Sequence, residues 1–148
     1  MEYRIRDVKE TDLPRIAEIE ILCFSKPWTE AMLLDELLLP EGSFLAAADE
    51  NDCVIGYISA RNYLGDCYIG NLAVHPGYRR FGIGERLLQK MIERSRADGG
   101  LFVSLEVRVS NLPARALYEK RGFRFMGERK NYYSAPVENA AIYTLFFE

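Results

Sequence analysis

The chain has 148 residues, 49% hydrophobic and 28% charged, with a formal net charge of −3. That is enough for one domain with a real core and too little for two, and without a basic excess nucleic acid is not expected as a direct partner. Cys23, Cys53 and Cys67 form no CxxC and His75 is the only histidine, so no metal is expected. The cysteines read as reduced, partly buried thiols of a cytoplasmic protein. The N-terminal MEYRIRDVKE lacks the apolar centre of a signal peptide, and no run approaches about 18 apolar residues, so secretion and membrane spanning are not expected.

Residues 3–8 alternate and predict a short strand ending near Arg6, with Tyr3, Ile5 and Val8 as its apolar positions. Thr11 or Asp12 is placed to cap a helix whose apolar residues Leu13, Ile16, Ile19 and Leu22 recur at helical spacing. The segment CFSKPWT breaks that helix. Thr29 starts a second one, which Pro40-Glu41-Gly42 ends. Trp28, between the two, reads as a core residue or as the wall of a substrate groove.

Phe44–Ala48 and Cys53–Ala60 are apolar runs joined by Asp49-Glu50-Asn51-Asp52, a hairpin pattern, and a turn near 62–66 leads to a strand over 67–74. Next comes NLAVHPGYRRFGIG, residues 71–84: a strand, a tight turn and a glycine-rich helix start flanked by arginines. A helix N-terminus offers unpaired N–H groups and a positive dipole end, and Gly82 and Gly84 would let a diphosphate approach the backbone. A tight entry turn would look the same.

Ile83, Leu87, Leu88, Met91 and Ile92 form the apolar stripe of a helix reaching about Ala97, closed by Asp98-Gly99-Gly100. Leu101–Val109 reads as a strand with Val103, Leu105 and Val107 on one face and Ser104, Glu106 and Arg108 on the other. Asn111 or Ser110 caps a short helix through Lys120, and strands over 123–133 and 140–147 finish the chain. The order βααβββ-α-β-α-ββ predicts an α/β fold, one mixed sheet with helices packed against it.

Two residues stand out chemically. Glu106 is a carboxylate in an otherwise apolar strand, either paired with Arg108 or another arginine, or a general base at the open end of the sheet. Tyr118, in ALYEKRGF, is either a core aromatic or a proton donor to a thiolate leaving group. Tyr132 and Tyr133, with Asn131 and Glu138, read as strand-end residues or as the lining of a groove for a peptide backbone. His75, before Pro76, reads as a solvent-facing turn residue.

Arg79-Arg80-Phe81-Gly82-Ile83-Gly84 resembles the (Gln/Arg)-x-x-Gly-x-(Gly/Ala) signature of the GNAT superfamily of N-acetyltransferases, in the strand-to-helix context which that signature requires. LEVRVSN with ALYEKRGF, PW at 27–28 and NYY at 131–133 is similar to the branch that acetylates the N-terminal alanine of a small-subunit ribosomal protein. The resemblance covers nearly the whole chain. It implies a single GNAT-like domain over residues 1–148, with a mixed, mostly antiparallel sheet and flanking helices. It also implies acetyl-CoA as co-substrate and a protein N-terminus as partner; a monomer is the favoured state.

By the same resemblance, Arg79, Arg80, Phe81, Gly82, Ile83 and Gly84 hold the diphosphate. Leu72, Ala73 and Val74 meet the pantetheine arm and acetyl group, with Asn111 nearby. Glu106 is the base, direct or through water, and Tyr118 the acid, while Trp28, Tyr132, Tyr133 and Glu138 border the acceptor. The family commonly has Glu-Asp-Ala where this chain has Glu138-Asn139-Ala140. An acetyltransferase of lysine side chains, polyamines or small amines, and a non-catalytic acetyl-CoA sensor, share the cofactor half of this pattern.

Overall fold

The computed structural model describes residues 1–148. The helix predicted after the glycine turn forms as α3 (Ile83–Ala97), and its buried residues include the whole predicted stripe, Ile83, Leu87, Leu88, Met91 and Ile92. Burying such side chains contributes roughly 1.5–3 kcal/mol each. They pack on one face of a seven-stranded sheet made of β1 (Tyr3–Asp7), β2 (Gly42–Asp49), β3 (Val54–Tyr63), β4 (Asp66–Val74), β5 (Phe102–Arg108), β6 (Arg124–Tyr133) and β7 (Glu138–Phe146). The spatial order is β1-β2-β3-β4-β5-β7-β6. Only β4 and β5 run parallel, so the sheet is mixed and mostly antiparallel.

The strands' period of two divides the core between the sheet faces. Leu45 and Ala47 of β2 pack toward α3, with Val103, Leu105 and Val107 of β5. Phe44 and Ala46 pack toward α1 (Leu13–Cys23) and α2 (Glu30–Leu38) on the opposite face. Thr29 caps α2 by accepting the Met32 N–H at 3.2 Å. α4 (Leu112–Lys120) rests its Ala114 and Tyr118 against the α3-side core.

The N-terminal segment departs from the sequence pattern. Strand β1 runs one residue past Arg6, and Val8 buries on the α1 side, whereas Tyr3 and Ile5 pack on the α3 side. A 3-10 turn, Glu10–Asp12, precedes α1, which no side chain caps. The Asp12 carboxylate instead accepts the Lys9 N–H at 2.7 Å and the Arg6 guanidinium at 2.7 and 3.0 Å. The carboxylate thus closes the 3-10 turn and holds a bidentate arginine rather than capping α1. The cysteines also spread wider than expected: Cys23 is half-buried, Cys53 exposed and Cys67 fully buried. Burial pushes the Cys67 thiol up to about 12.

The functional geometry begins where β4 leaves β5. The two pair only at Cys67↔Val103 and Tyr68↔Ser104, and then diverge. Just beyond, β4 carries a bulge, since Ile69 to Leu72 spans what Ala60 to Ile58 spans on β3. A bulge bends the strand that holds it. Ser59 Oγ closes this one by accepting the Asn71 N–H at 3.1 Å. A Cβ on Gly70 would sit 3.0 Å from that same oxygen, so the glycine keeps the hydroxyl's place open. No helix here is long and apolar enough to cross a membrane.

Candidate active site

The divergence of β4 and β5 opens a cleft of about 970 Å³. Eight of the residues singled out in the sequence line it: Trp28, Leu72, Glu106, Asn111, Tyr118, Tyr132, Tyr133 and Glu138. Ala73, Val74 and the stretch Arg79–Gly84 lie outside that lining, at the end of β4 and the start of α3. Ala73 and Ile83 bury their side chains in the core, which leaves only their backbone to meet a ligand.

Gly82 takes the left-handed conformation, φ +72°, as the residue before α3, and no side chain caps that helix. A Cβ at Gly82 would meet nothing within 4 Å, and one at Gly84 would touch only Val74 at 3.6 Å. The glycines therefore leave open space in front of unpaired helix N–H groups. Arg79 folds back from this turn, donating to Val74 O and to Cys23 Sγ, each at 3.3 Å. His75 accepts the Gly77 N–H at Nδ1, 3.0 Å, and so holds the preceding turn.

Glu106 Oε1 lies 3.3 Å from Arg129 Nε, so the arginine paired with it comes from β6, while Arg108 goes elsewhere. Its second oxygen, Oε2, is buried without any hydrogen-bond partner, the one such side-chain atom in the protein. A carboxylate oxygen in that state is a strong, waiting acceptor. Tyr132 stands beside it: burial first, and then the Glu106 carboxylate, hold the Tyr132 phenol above its ordinary value. Tyr118 packs against the rings of Phe123 and Tyr143, with centroids 5.7 and 6.3 Å away. Burial holds its phenol above the ordinary value, which keeps the proton on the oxygen. Asn111 caps α4 by accepting the Ala114 N–H at 3.3 Å.

The β6–β7 turn borders the cleft and is held by Arg108. This guanidinium donates to Ser134 O and Pro136 O at 3.0 Å and to Glu138 Oε1 at 3.1 Å, and lies 4.6 Å from the centre of the Tyr133 ring. Glu138 Oε2 accepts the Ser110 N–H at 2.7 Å, so both its oxygens are engaged within the protein. Ser110 foremost, and then Arg108, hold this carboxyl below its ordinary value. Asn139 accepts the Asn131 N–H at 2.9 Å and donates to Glu128 at 3.0 Å. An aspartate there would face Glu128 as a like charge, which gives the departure at 139 a local reason.

Glu20 is what the sequence reading missed. It sits on the buried stripe of α1 with Leu13 and Ile16, fully buried, and borders the cleft from below. Its carboxylate accepts the Tyr57 hydroxyl, Asn71 Nδ2 at 2.6 Å and the Trp28 backbone N–H at 3.3 Å. A carboxylate at core spacing on a helix was the available signal. Trp28, tied down in this way, packs on the α1-side core and also lines the cleft.

Residues 13–123 match the acetyltransferase (GNAT) family. The ribosomal protein bS18-alanine N-acetyltransferase of Haemophilus influenzae is 35% identical over 141 residues, 93% of this chain and 94% of that protein. The crystal structure of the ribosomal-protein-S18-alanine N-acetyltransferase from Escherichia coli is similar with a TM-score of 0.90 and 30% identity, over 98% of this chain and 94% of that one. Ard1 from Thermoplasma volcanium gives a TM-score of 0.91 at 28% identity, covering 100% of this chain and 99% of that one.

Proposed function

We propose, because this chain belongs to the acetyltransferase (GNAT) family, that it transfers an acetyl group from acetyl-CoA to the α-amine of a protein N-terminus, the N-terminal alanine of a ribosomal protein. All of residues 1–148 serve this one acetyltransferase domain, and such an acceptor places the reaction in the cytoplasm. The observation that carries the reading is the buried, unpartnered Glu106 Oε2 in the same cleft as a protonated Tyr118.

The residues at the α3 start fit acetyl-CoA. The uncapped helix and the open space over Gly82 suit a diphosphate, and Arg80 stands next to them. From there to the splay, β4 has no strand paired along its β5 side, leaving backbone groups free for an extended pantetheine arm. When bound, acetyl-CoA supplies a thioester carbonyl activated for acyl transfer.

The chain's own groups then manage two protons. An α-amine has a pKa of about 7.7–8.0, so a modest base suffices at cytoplasmic pH. Glu106 Oε2 accepts that proton, directly or through one water, and leaves the amine lone pair free to attack. Tyr118 Oη delivers its proton to the departing sulfur, and the attacking nitrogen gives up its second proton as the amide forms, which restores the Tyr118 phenol. Its raised pKa keeps it loaded throughout the range in which the amine becomes neutral. Trp28 on one side and Tyr132 and Tyr133 on the other border the acceptor, while Glu138 acts through Arg108 and Ser110 to fix the turn beneath them.

The test is acetyl transfer to matched peptides, with the modified atom located by fragmentation mass spectrometry. One peptide carries a free N-terminal Ala and one a blocked N-terminus with an internal Lys, beside spermidine. Modification confined to the free α-amine is expected. Transfer to lysine or spermidine alone would overturn the acceptor while keeping the acetyltransferase.

A further inference from the structure

Glu20 draws donors from three separate parts of the chain: the Tyr57 hydroxyl of β3, Asn71 Nδ2 of the β4 bulge, and the Trp28 backbone N–H between α1 and α2. A carboxylate accepts hydrogen bonds and does not donate them. The Asn71 amide therefore has to present its NH2 group to Glu20, which turns Oδ1 the other way. Asn71 lines the cleft, and its Oδ1 is neither buried without a partner nor bonded to any protein group. Free carboxamides flip readily; this one is locked.

The lock stands across the splay from Glu106. Counting from the last β4–β5 pair, Tyr68↔Ser104, Glu106 lies two residues along β5, and Gly70 and Asn71 lie two and three along β4. Val103, Leu105 and Val107 take the α3 side of the sheet, so Glu106 is directed to the other side. Asn71 reaches α1 on that same side through Glu20. The two residues thus flank the opening of the cleft from opposite strands.

The geometry points to Asn71 Oδ1 as a hydrogen-bond acceptor for the amine of the acceptor substrate, with Glu20 as the positioning residue that fixes it. This rests on the acetyl-transfer reading above. A primary ammonium that has given one proton to Glu106 keeps two N–H bonds and a lone pair. Engaging one N–H at Asn71 Oδ1 sets the direction of the lone pair, and orientation of that kind separates bound substrate from reacting substrate. Neither the glycine turn nor Tyr118 takes part, so the effect is confined to the acceptor.

Asn71→Ala is expected to lower kcat/KM for the N-terminal Ala peptide about tenfold, the scale of one lost hydrogen bond, with the acetyl-CoA Kd within about twofold of wild type. Glu20→Gln is the second variant. A glutamine can face either end of the Asn71 amide, so the lock is lost while the shape is kept, and kcat/KM is expected to fall about threefold. Adding Asn71→Ala to Glu20→Gln should bring kcat/KM little lower than Asn71→Ala alone, because the two share the Asn71 oxygen and Glu20 adds only its hold on the Trp28 N–H at 3.3 Å. The inference is overturned if Asn71→Ala leaves kcat/KM for the peptide within about twofold of wild type, or lowers it in step with acetyl-CoA affinity. Absence of transfer by the wild type to any N-terminal peptide would instead overturn the acceptor reading, and this inference with it.

Discussion

The turn before α3 and the cleft between β4 and β5 are built from different material. At the α3 end the working groups are backbone: a left-handed Gly82, uncapped helix N–H groups, and a strand edge left unpaired when β4 parts from β5. In the cleft they are side chains held by other side chains, with Glu20 gripping Asn71 and the Trp28 backbone, and Arg108 gripping Glu138 and the β6–β7 turn. A backbone site tolerates any side chain that keeps the local conformation and leaves the space empty. A side-chain site depends on the identity of each partner, and one change leaves another group unsatisfied. The same fold can therefore keep its α3 turn while the lining of its cleft diverges.

That contrast can be broken by substitution. Tyr118→Phe removes a proton donor without altering the backbone end, so turnover should fall about a hundredfold with acetyl-CoA affinity nearly unchanged, as read by steady-state rates beside calorimetric binding. Equal loss of both would merge the two ends into one. Gly82→Ala is the converse: a Cβ there meets no protein atom but occupies the space before the helix and strains a positive φ. Acetyl-CoA affinity should fall about tenfold for about 1–2 kcal/mol of lost stability, with the KM for peptide little changed. Arg108→Lys keeps the charge beside Glu138 and loses the fork that reaches Ser134 O and Pro136 O. The KM for peptide should rise about threefold, the acetyl-CoA Kd staying constant. Asn139→Asp has the smallest effect, setting a carboxylate against Glu128. A cost of about 0.5 kcal/mol would lower Tm by about 1–2 °C without touching either substrate.

The same contrast explains what could be read before the fold was known. The backbone end was legible because Gly82 takes a left-handed conformation that glycine adopts without strain and Gly84 leaves the helix start open, so the pair announces itself locally. The element order and the α3 stripe were legible for a similar reason, since helical and strand periods are written in neighbouring residues. Glu106 stood out against its apolar strand, yet its partner Arg129 lies 23 positions on, and Arg108, the nearer candidate, pairs with Glu138 instead. Glu20 and Asn71 are 51 residues apart and meet only because α1 packs over the β4 bulge. No local pattern encodes such a pair. Asp12 misled in a related way, as its carboxylate closes the preceding 3-10 turn at Lys9 and holds an arginine from β1 rather than capping α1.

The most direct test of the account compares Glu106→Gln with wild type across pH 6.5 to 9, using the N-terminal Ala peptide at saturating acetyl-CoA. If Glu106 removes the amine proton, the wild-type advantage in kcat/KM is largest near pH 6.5, where the amine is charged. It should narrow steadily through the amine's own pKa of about 7.7–8.0, above which the substrate arrives neutral. A constant ratio over the whole range would contradict the account and make Glu106 a structural partner of Arg129 and Tyr132.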